Sequence, residues 1–480
     1  MTVPGFRMAS KNKNIPPQIR WTRRGGRYLV TNDSGSFISL SAARFRRYVA
    51  AGLPGGAAAA PREEGFIRGG LDFTEQARRW RESNAYLGRG PGLHILVLTL
   101  RCNHACAYCQ AGAAGTSSRG TDMKPATARQ CLDFALRSPE PGLTMEFQGG
   151  EPLLNWPVLK EAVLYGEKKA AAAGKRIKFA LVSNFSLMTP EKAAFLEKHG
   201  VALCASLDGP AEIHDANRPL RGGSGSHALT VKWLKYFRKK FGPGSDLGPS
   251  ALLTVTRRSL GREREIIGEY VRLGLSSVFV RPTAPIGLAP SAWKEIGCGA
   301  EEFAGFYRGC LSHIMSLNRK GVFIREKTAF LIAKKALAFR DNRFVDLRCP
   351  CGAGLGQLTY NFDGDIYTCD EGRMLARLGD RLFRAGSVFR DDYRRVIMSG
   401  AVKACAAASC LESQPACSRC VWRPYCGVCP VHNYHTQGSL WGNMADNERC
   451  RVMKGVFGAV FGCLEDGQDG AGIFRSWFDQ

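Results

Sequence analysis

The alternation between Leu93 and Val280 constrains this chain more than any other feature. Short apolar runs at Leu93–Leu100, Leu143–Phe147, Ile177–Val182, Val201–Ser206, Ala251–Val255 and Ser277–Val280 are each followed by a polar or glycine-bearing segment. Helix-period stretches lie between them at Ala126–Arg137, Val158–Ala173, Pro190–Lys198, Ala228–Lys240 and Arg262–Leu273. Strand then helix, repeated about six times, predicts a parallel sheet with crossover helices, because parallel neighbours need a long connection. Six units are too few for a full eight-fold barrel, so an open partial barrel competes with a doubly wound sheet.

In such a sheet ligands collect at the C-terminal ends of the strands. The first strand runs into Cys102-Asn-His-Ala-Cys106-Ala-Tyr108-Cys109. Three thiolates on one short loop can converge on three corners of an iron-sulfur cube and leave the fourth iron open. Zinc is the alternative, but structural zinc closes with four ligands and no fourth Cys lies nearby. His104 as that ligand would strain the loop between Cys102 and Cys106. The second strand ends in Gln148-Gly149-Gly150-Glu151-Pro152, where glycines permit close backbone approach to a ligand and Glu151 offers an acceptor to an ammonium group. The third ends at Ser183-Asn184, the fourth at Ser206-Leu-Asp208-Gly209-Pro210, and Arg281 follows the sixth. Plainer readings stand beside each: Gly149-Gly150 and Asp208-Gly209 as turns, Arg281 as a surface charge, His214-Asp215 with Arg218 as the pin of a helix start.

Cysteine is the second constraint. The 480 residues include 18 Cys, and ten of them fall between Cys349 and Cys450, among Gly and Pro with little periodicity. Such a segment can hardly bury a conventional core, so metal sites are expected to hold it together. The longest clean apolar stretch, Leu93–Leu100, is far short of the ~20 residues a membrane span needs. Residues 1 to 18 are polar with no apolar signal core, so a reducing cytoplasm is expected, where cysteines serve as metal ligands or buried thiols rather than disulfides. Cys131, Cys204, Cys298, Cys310 and Cys463 lie in helix-like or strand-like stretches and read as buried apolar residues.

The formal charge is +25, and residues 1–90 hold 16 Lys plus Arg against 6 Asp plus Glu. Nucleic acid, an acidic peptide or simply a basic surface would each account for it. Gly/Ala/Pro-rich stretches at Gly52–Pro61 and Gly88–Gly92 punctuate this part. Tyr28–Val30, a turn at Asn32–Gly35, Phe37–Leu40 and then Ser41 as a cap predict a hairpin followed by a helix. Three regions result: 1–90, a small basic α+β module; 91–340, the partial barrel plus a helical connector; and 341–480, the cysteine-rich domain with a C-terminal helix.

The Cys102/Cys106/Cys109 spacing, with an aromatic residue before the last Cys, resembles the signature of the radical S-adenosylmethionine (SAM) enzymes. The fold class implied is α/β, a partial (β/α)6 radical SAM barrel with a small N-terminal α+β module and a C-terminal cysteine-rich iron-sulfur domain. The resemblance implies that one 4Fe-4S cluster on this triad binds SAM. Tyr108, Gly149, Gly150, Glu151, Ser183, Asn184, Ser206, Asp208 and Arg281 would then lie around the SAM; Gly149 to Pro152 looks like the element that holds the methionine amino group. The later pattern, Cys351, Gly364, Cys369, then Cys417-x2-Cys420-x5-Cys426-x2-Cys429 and Cys450, resembles the SPASM extension of peptide-modifying members. That extension usually binds two auxiliary 4Fe-4S clusters. The last gap is two residues where the common pattern has three. By the family's interleaving, Cys351, Cys369 and Cys429 would serve the first cluster and Cys417, Cys420, Cys426 and Cys450 the second. Seven thiols are one short of eight, with Cys349 the expected eighth ligand and Cys410 next. A zinc ribbon is the alternative for the two Cys-x2-Cys pairs. By the same resemblance, Asp370, with Glu371, stands where sulfatase maturases carry a proton-accepting carboxylate; a solvated acidic pair beside a cluster is the plainer reading.

Residues 1–90, Cys349-Pro-Cys351-Gly-Ala-Gly and Cys426-Gly-Val-Cys429-Pro-Val-His-Asn-Tyr434 together resemble the radical SAM maturases of the His-Xaa-Ser peptide system, of the type called HxsB. This implies a peptide substrate, such as a His-Xaa-Ser repeat peptide, whose unactivated carbon loses hydrogen to a 5′-deoxyadenosyl radical, installing a crosslink or other carbon-centred change. It also implies an electron donor such as flavodoxin or ferredoxin, partner maturases of the same system, and an N-terminal module that takes up a leader peptide. No membrane partner is expected, and nucleic acid is not favoured. The rival classes are a radical SAM enzyme acting on a folded protein or RNA, and a noncatalytic metal-binding nucleic-acid module.

Overall fold

The computed structural model describes residues 18–51, 65–242, 245, 247–341, 344–466 and 468–479. Residues 1–17 and the Gly/Ala/Pro-rich stretch at 52–61 lie outside the described residues. The N-terminal module opens with β1 (Arg20–Arg24), β2 (Arg27–Thr31) and β3 (Phe37–Ser41), an antiparallel sheet in that order. Helix Ala42–Ala51 follows, and the Ser41 hydroxyl accepts from Arg44 N at 3.3 Å, as a cap should. The hairpin and helix were legible in the sequence. Strand β1, Arg-Trp-Thr-Arg-Arg, was not, because an edge strand can carry charge that obscures alternation. A second helix, Phe73–Ser83, is capped by Asp72.

The six expected strands are all present as β4 (Leu93–Thr99), β5 (Gly142–Gly149), β6 (Arg176–Ser183), β7 (Ala202–Ser206), β8 (Ser250–Val255) and β9 (Ser277–Pro282). They pair in parallel and in sequence order, with the expected helices as crossovers at Pro125–Ala135, Trp156–Ala172, Pro190–Lys198, His227–Phe241 and Glu263–Arg272. Sequential order without reversal is that of a partial barrel rather than a doubly wound sheet. Along β5, Leu143, Met145 and Phe147 are buried under the crossover helices while Thr144, Glu146 and Gln148 are half-buried on the concave face. A parallel strand with one polar face must turn that face toward an interior that is not dry core.

The sheet does not stop at these six. Strand β10 (Arg325–Glu326) adds in parallel beside β9, after helix Ala300–Arg319 and before helix Lys327–Ala338. At the other edge β11 (Gln357–Tyr360) pairs in parallel with β4, and β12 (Asp365–Tyr367) and β13 (Arg384–Ser387) continue antiparallel. The cysteine-rich segment therefore shares backbone hydrogen bonds with the barrel. It is also less coreless than its composition suggests: helix Glu448–Glu465 buries Val452, Val456, Phe457, Val460, Phe461 and Leu464. Each such side chain contributes roughly 1.5–3 kcal/mol relative to exposure. These residues join the barrel's own core against helix Ala300–Arg319, where Gly455 sits so close to Ala304 that a Cβ would collide.

Candidate active site and cysteine groups

Cys102, Cys106 and Cys109 line one cavity of about 190 Å³ at the C-terminal ends of the strands, together with Gly149, Gly150, Glu151, Ser183, Asn184, Ser206, Arg218 and Arg281. The chain is placed there by backbone pairing. Gly150 N donates to Thr99 O at 2.8 Å and Glu151 N to Arg101 O at 2.7 Å, which binds the glycine turn to the base of the cysteine loop. Gly149 has φ +146°, and a Cβ on it would collide with the Thr99 carbonyl; a Cβ on Gly150 would lie 2.6 Å from Leu100 O. The two glycines are needed for this chain-to-chain approach as much as for any ligand.

Glu151 is buried, and its carboxylate accepts from Ser183 Oγ at 2.8 Å, Leu153 N at 3.0 Å and Asn184 N at 2.9 Å. Two of these bonds go to Oε1 and one to Oε2, which leaves Oε2 with a free acceptor site. Burial pushes its pKa up, against the pull of these donors. Asn184 continues the clamp: its Nδ2 donates to Asn103 Oδ1 at 3.0 Å and lies 4.0 Å from Cys102 Sγ. Burial raises the Cys102 and Cys106 thiols to about 12 each. Thiols packed together out of water are poor as free acids and suited to a soft metal that displaces the proton. His104 also lines the cavity; its Nε2 hydrogen-bonds Ser186 Oγ at 3.0 Å, and its buried Nδ1 has no hydrogen-bond partner.

Tyr108 lines the cavity too, with its hydroxyl on Asp208, which does not itself line it. Asp208 is fully buried, pairs with Arg218 Nε at 3.1 Å, accepts from Asn217 Nδ2 and Thr254 N at 3.2 Å each, and receives the Tyr108 hydroxyl. The Arg218 guanidinium lies 5.1 Å from the Tyr108 ring centroid. This network braces the cysteine loop from behind. His214 and Asp215 pin a helix start, as the plainer reading held: Asp215 Oδ1 accepts from Ser226 N and His227 N at 2.7 Å each.

Arg281 reaches the cavity with Glu371 4.0 Å away, while Asp370 pairs with Arg373 at 3.0 Å. Of the two acids after Cys369 it is therefore Glu371 that faces Arg281; burial, Asp346 and Asp370 raise its pKa. Glu146 was missed in the sequence. Gln148 Nε2 donates to it at 2.5 Å, and burial raises its pKa. The signal was present as the polar face of β5.

The C-terminal cysteines form two sets of four. Cys417, Cys420, Cys426 and Cys450 line a cavity of about 50 Å³ that Cys429 also reaches. Cys351, Cys369 and Cys429 form a buried group whose fourth member is Cys405, fully buried on helix Gly400–Ala408. Cys369 and Cys429 cap the helices Asp370–Arg377 and Pro430–Gln437, their Sγ atoms accepting from Gly372 N and His432 N at 3.4 Å each. A helix N-terminus favours a thiolate. Cys405 was passed over because it sits in Lys403-Ala-Cys405-Ala-Ala-Ala, which reads as a plain helix. Cys349, expected in this set, lies instead beside Cys410 and Glu412. Cys131 and Cys310 are buried in the main core, as expected, and Cys298 and Cys463 pack against it half-buried. Cys204 is half-buried, its thiol bonded to Ser250 and near Lys327 and Glu146.

The Radical SAM superfamily model matches residues 96–253, the span from β4 into β8. The radical SAM cyclopropyl synthase TigE of Paramaledivibacter caminithermalis is 26% identical over 157 residues, 30% of this chain and 32% of its own length. The chain thus spans about a third of that relative, and 60% of an uncharacterized Methanocaldococcus jannaschii protein that is 29% identical over 38% of this chain. Among solved structures, native anSMEcpe with bound AdoMet superposes with a TM-score of 0.66 at 17% identity, covering 78% of this chain and 98% of that one. SuiB of Streptococcus suis bound to the precursor peptide SuiA gives 0.53 at 13% identity, covering 88% and 97%. Residues 96–253 match the model of the Radical SAM superfamily, whose members use SAM and a 4Fe-4S cluster, and the chain has the α/β parallel-sheet fold of these solved structures.

Proposed function

We propose that this protein is a radical SAM maturase that abstracts hydrogen from a ribosomally made peptide to install a crosslink or other carbon-centred modification. The observation that carries the reading is the single cavity lined by the three loop cysteines, Glu151, Asn184 and Arg281. When bound there, the cluster and SAM supply reductive cleavage to methionine and a 5′-deoxyadenosyl radical. The chain's own residues hold and orient. Cys102, Cys106 and Cys109 would hold three irons, Glu151 would accept from the ammonium of SAM and Arg281 would offset its carboxylate, while Arg281 also lies 4.0 Å from Glu371. Tyr108 and Asp208 act by bracing the loop. Glu146, on the polar face of β5, and Glu371, 4.0 Å from Arg281, would be the acids a peptide meets.

The two sets of four thiols support two auxiliary 4Fe-4S clusters, with Cys405 as the eighth ligand. The peptide reading is favoured over RNA by the likeness to a structure bound to a precursor peptide. Region 1–90 is the proposed leader-binding module, with β1 as the edge that a leader strand would join. Barrel 91–340 and domain 341–480 would carry catalysis and the auxiliary clusters. Texture in the N-terminal module and around Cys349 and Cys429 supports the His-Xaa-Ser system in particular, with its partner maturases, a flavodoxin or ferredoxin as donor, and a cytoplasmic site of action. No described helix is long and apolar enough to cross a membrane. The test is anaerobic incubation of reconstituted protein with SAM, a reductant and a short peptide encoded beside its gene, followed by mass spectrometry. Loss of hydrogen mass at one peptide position, dependent on Cys102, is expected; an unmodified peptide alongside a modified RNA or folded protein would redirect the substrate class.

A further inference from the structure

Once eight of the ten C-terminal cysteines are placed in two sets of four, Cys349 and Cys410 remain. They are together. Their Sγ atoms and the Glu412 carboxylate lie within 4.8 Å of one another, with Cys349 Sγ 3.2 Å and Cys410 Sγ 3.5 Å from Glu412 Oε2. Zinc binds thiolate at about 2.3 Å and carboxylate at about 2.0–2.2 Å, so a tetrahedral ion sets S···O at roughly 3.5 Å. The observed distances, 3.5 and 3.2 Å, lie at that value and just below it. Thiolates on different irons of one cube stand further apart than thiolates sharing one ion, so this spacing suits a mononuclear site.

The surroundings are those of a built site. Leu411 N donates to Cys349 Sγ at 3.2 Å, which favours the thiolate. Arg423 Nε lies 3.9 Å from Glu412 Oε1, orienting the carboxylate and offsetting the single negative charge that two thiolates, one carboxylate and a divalent ion would leave. Arg423 also bonds Asp33, in the hairpin turn of the N-terminal module. Cys349, Cys410 and Glu412 line a cavity of about 650 Å³ together with the module's Asp33, Trp80 and Tyr86, whose hydroxyl donates to Pro350 O at 2.9 Å.

We propose that Cys349, Cys410 and Glu412 bind one zinc ion, distinct from the iron-sulfur sites, with its fourth position open to water in this cavity. The ion would tie the Cys349 segment to the 410–412 turn and, through Arg423, to the N-terminal module. The inference rests on the cysteine assignment above, and the iron count separates failure of one from failure of the other.

The test uses full-length protein carrying its complete iron complement, analysed for zinc and iron, with cobalt(II) as a spectroscopic probe. Wild type should retain about one zinc per chain. Cobalt exchanged into that site should give the visible bands of tetrahedral thiolate coordination. C349A/C410A should lose the zinc and the cobalt spectrum with iron unchanged. E412Q, which keeps both thiols and the shape of the turn, should weaken cobalt binding at least about tenfold. A zinc-free wild type, zinc retained by C349A/C410A, iron lost with it, or a Cys349–Cys410 disulfide in anaerobically isolated protein would each overturn the proposal.

Discussion

Replacing Cys405 by Ala separates two accounts of one buried atom. The thiol is fully buried on helix Gly400–Ala408, beside Cys351, Cys369 and Cys429. If it is only a small apolar side chain, removing Sγ leaves a void of less than one water and costs about 1–2 kcal/mol, with no change in metal. If it is the fourth ligand of that set, the cluster loses a corner. Three sets holding four irons each give about 12 irons per chain, and the variant should fall toward about 8. The remaining three thiolates could keep a labile cluster, so the assay is anaerobic iron and sulfide analysis after gel filtration, paired with EPR of the dithionite-reduced protein. One of the auxiliary signals should vanish while the SAM-dependent signal of the Cys102 cluster persists. Cys349→Ala is the control, because the sequence pattern alone favoured it. Iron retained by C405A and lost by C349A would refute the assignment and restore the sequence-based one.

Other consequences are as direct. Asp208→Asn leaves the buried Arg218 guanidinium without its counter-charge and should destabilise the chain by about 3–5 kcal/mol, read as a lower thermal midpoint. Gly150→Ala forces a methyl against the Leu100 and Arg101 carbonyls and should cost about 3 kcal/mol, with poorer cluster retention on the Cys102 loop. His94 is fully buried, and desolvation lowers its pKa from 6.5 to about 4. The unfolded chain therefore binds a proton that the folded chain refuses. Stability is intact above pH 6.5 and lost as pH falls toward 4, by about 2 kcal/mol at pH 5 and about 3 kcal/mol in all. His94→Gln should flatten that part of the urea-midpoint profile; an unchanged slope would mean that other groups dominate it.

Strand positions, crossover helices and the cysteine loop were legible in the sequence because they follow from local rules: apolar runs, helical period, and ligand spacing on one loop. What stayed hidden was set by tertiary context. Gly149 and Gly150 read as a ligand-approach turn, yet their first constraint is the carbonyl row of Thr99 to Arg101, which belongs to another strand. Asp208 reads as a cofactor contact because it sits at a strand end, yet it is buried against Arg218, Asn217 and the hydroxyl of Tyr108, a residue of the cysteine loop about a hundred positions away. Asp370 follows Cys369 in the chain, but at the start of a helix the side chain of Arg373, three residues on, captures it, and the next residue faces Arg281. Cys405 lies in an alanine helix with no Cys-x2-Cys signal, and only folding brings it to Cys351 and Cys369.

The central claim is SAM cleavage at the Cys102, Cys106 and Cys109 loop. The most direct measurement is release of 5′-deoxyadenosine from SAM by anaerobically reconstituted protein under dithionite. The account predicts steady release by the wild type and none by the chain with all three cysteines changed to Ala. Zinc in place of iron with no release, or unchanged release from the triple variant, would contradict it.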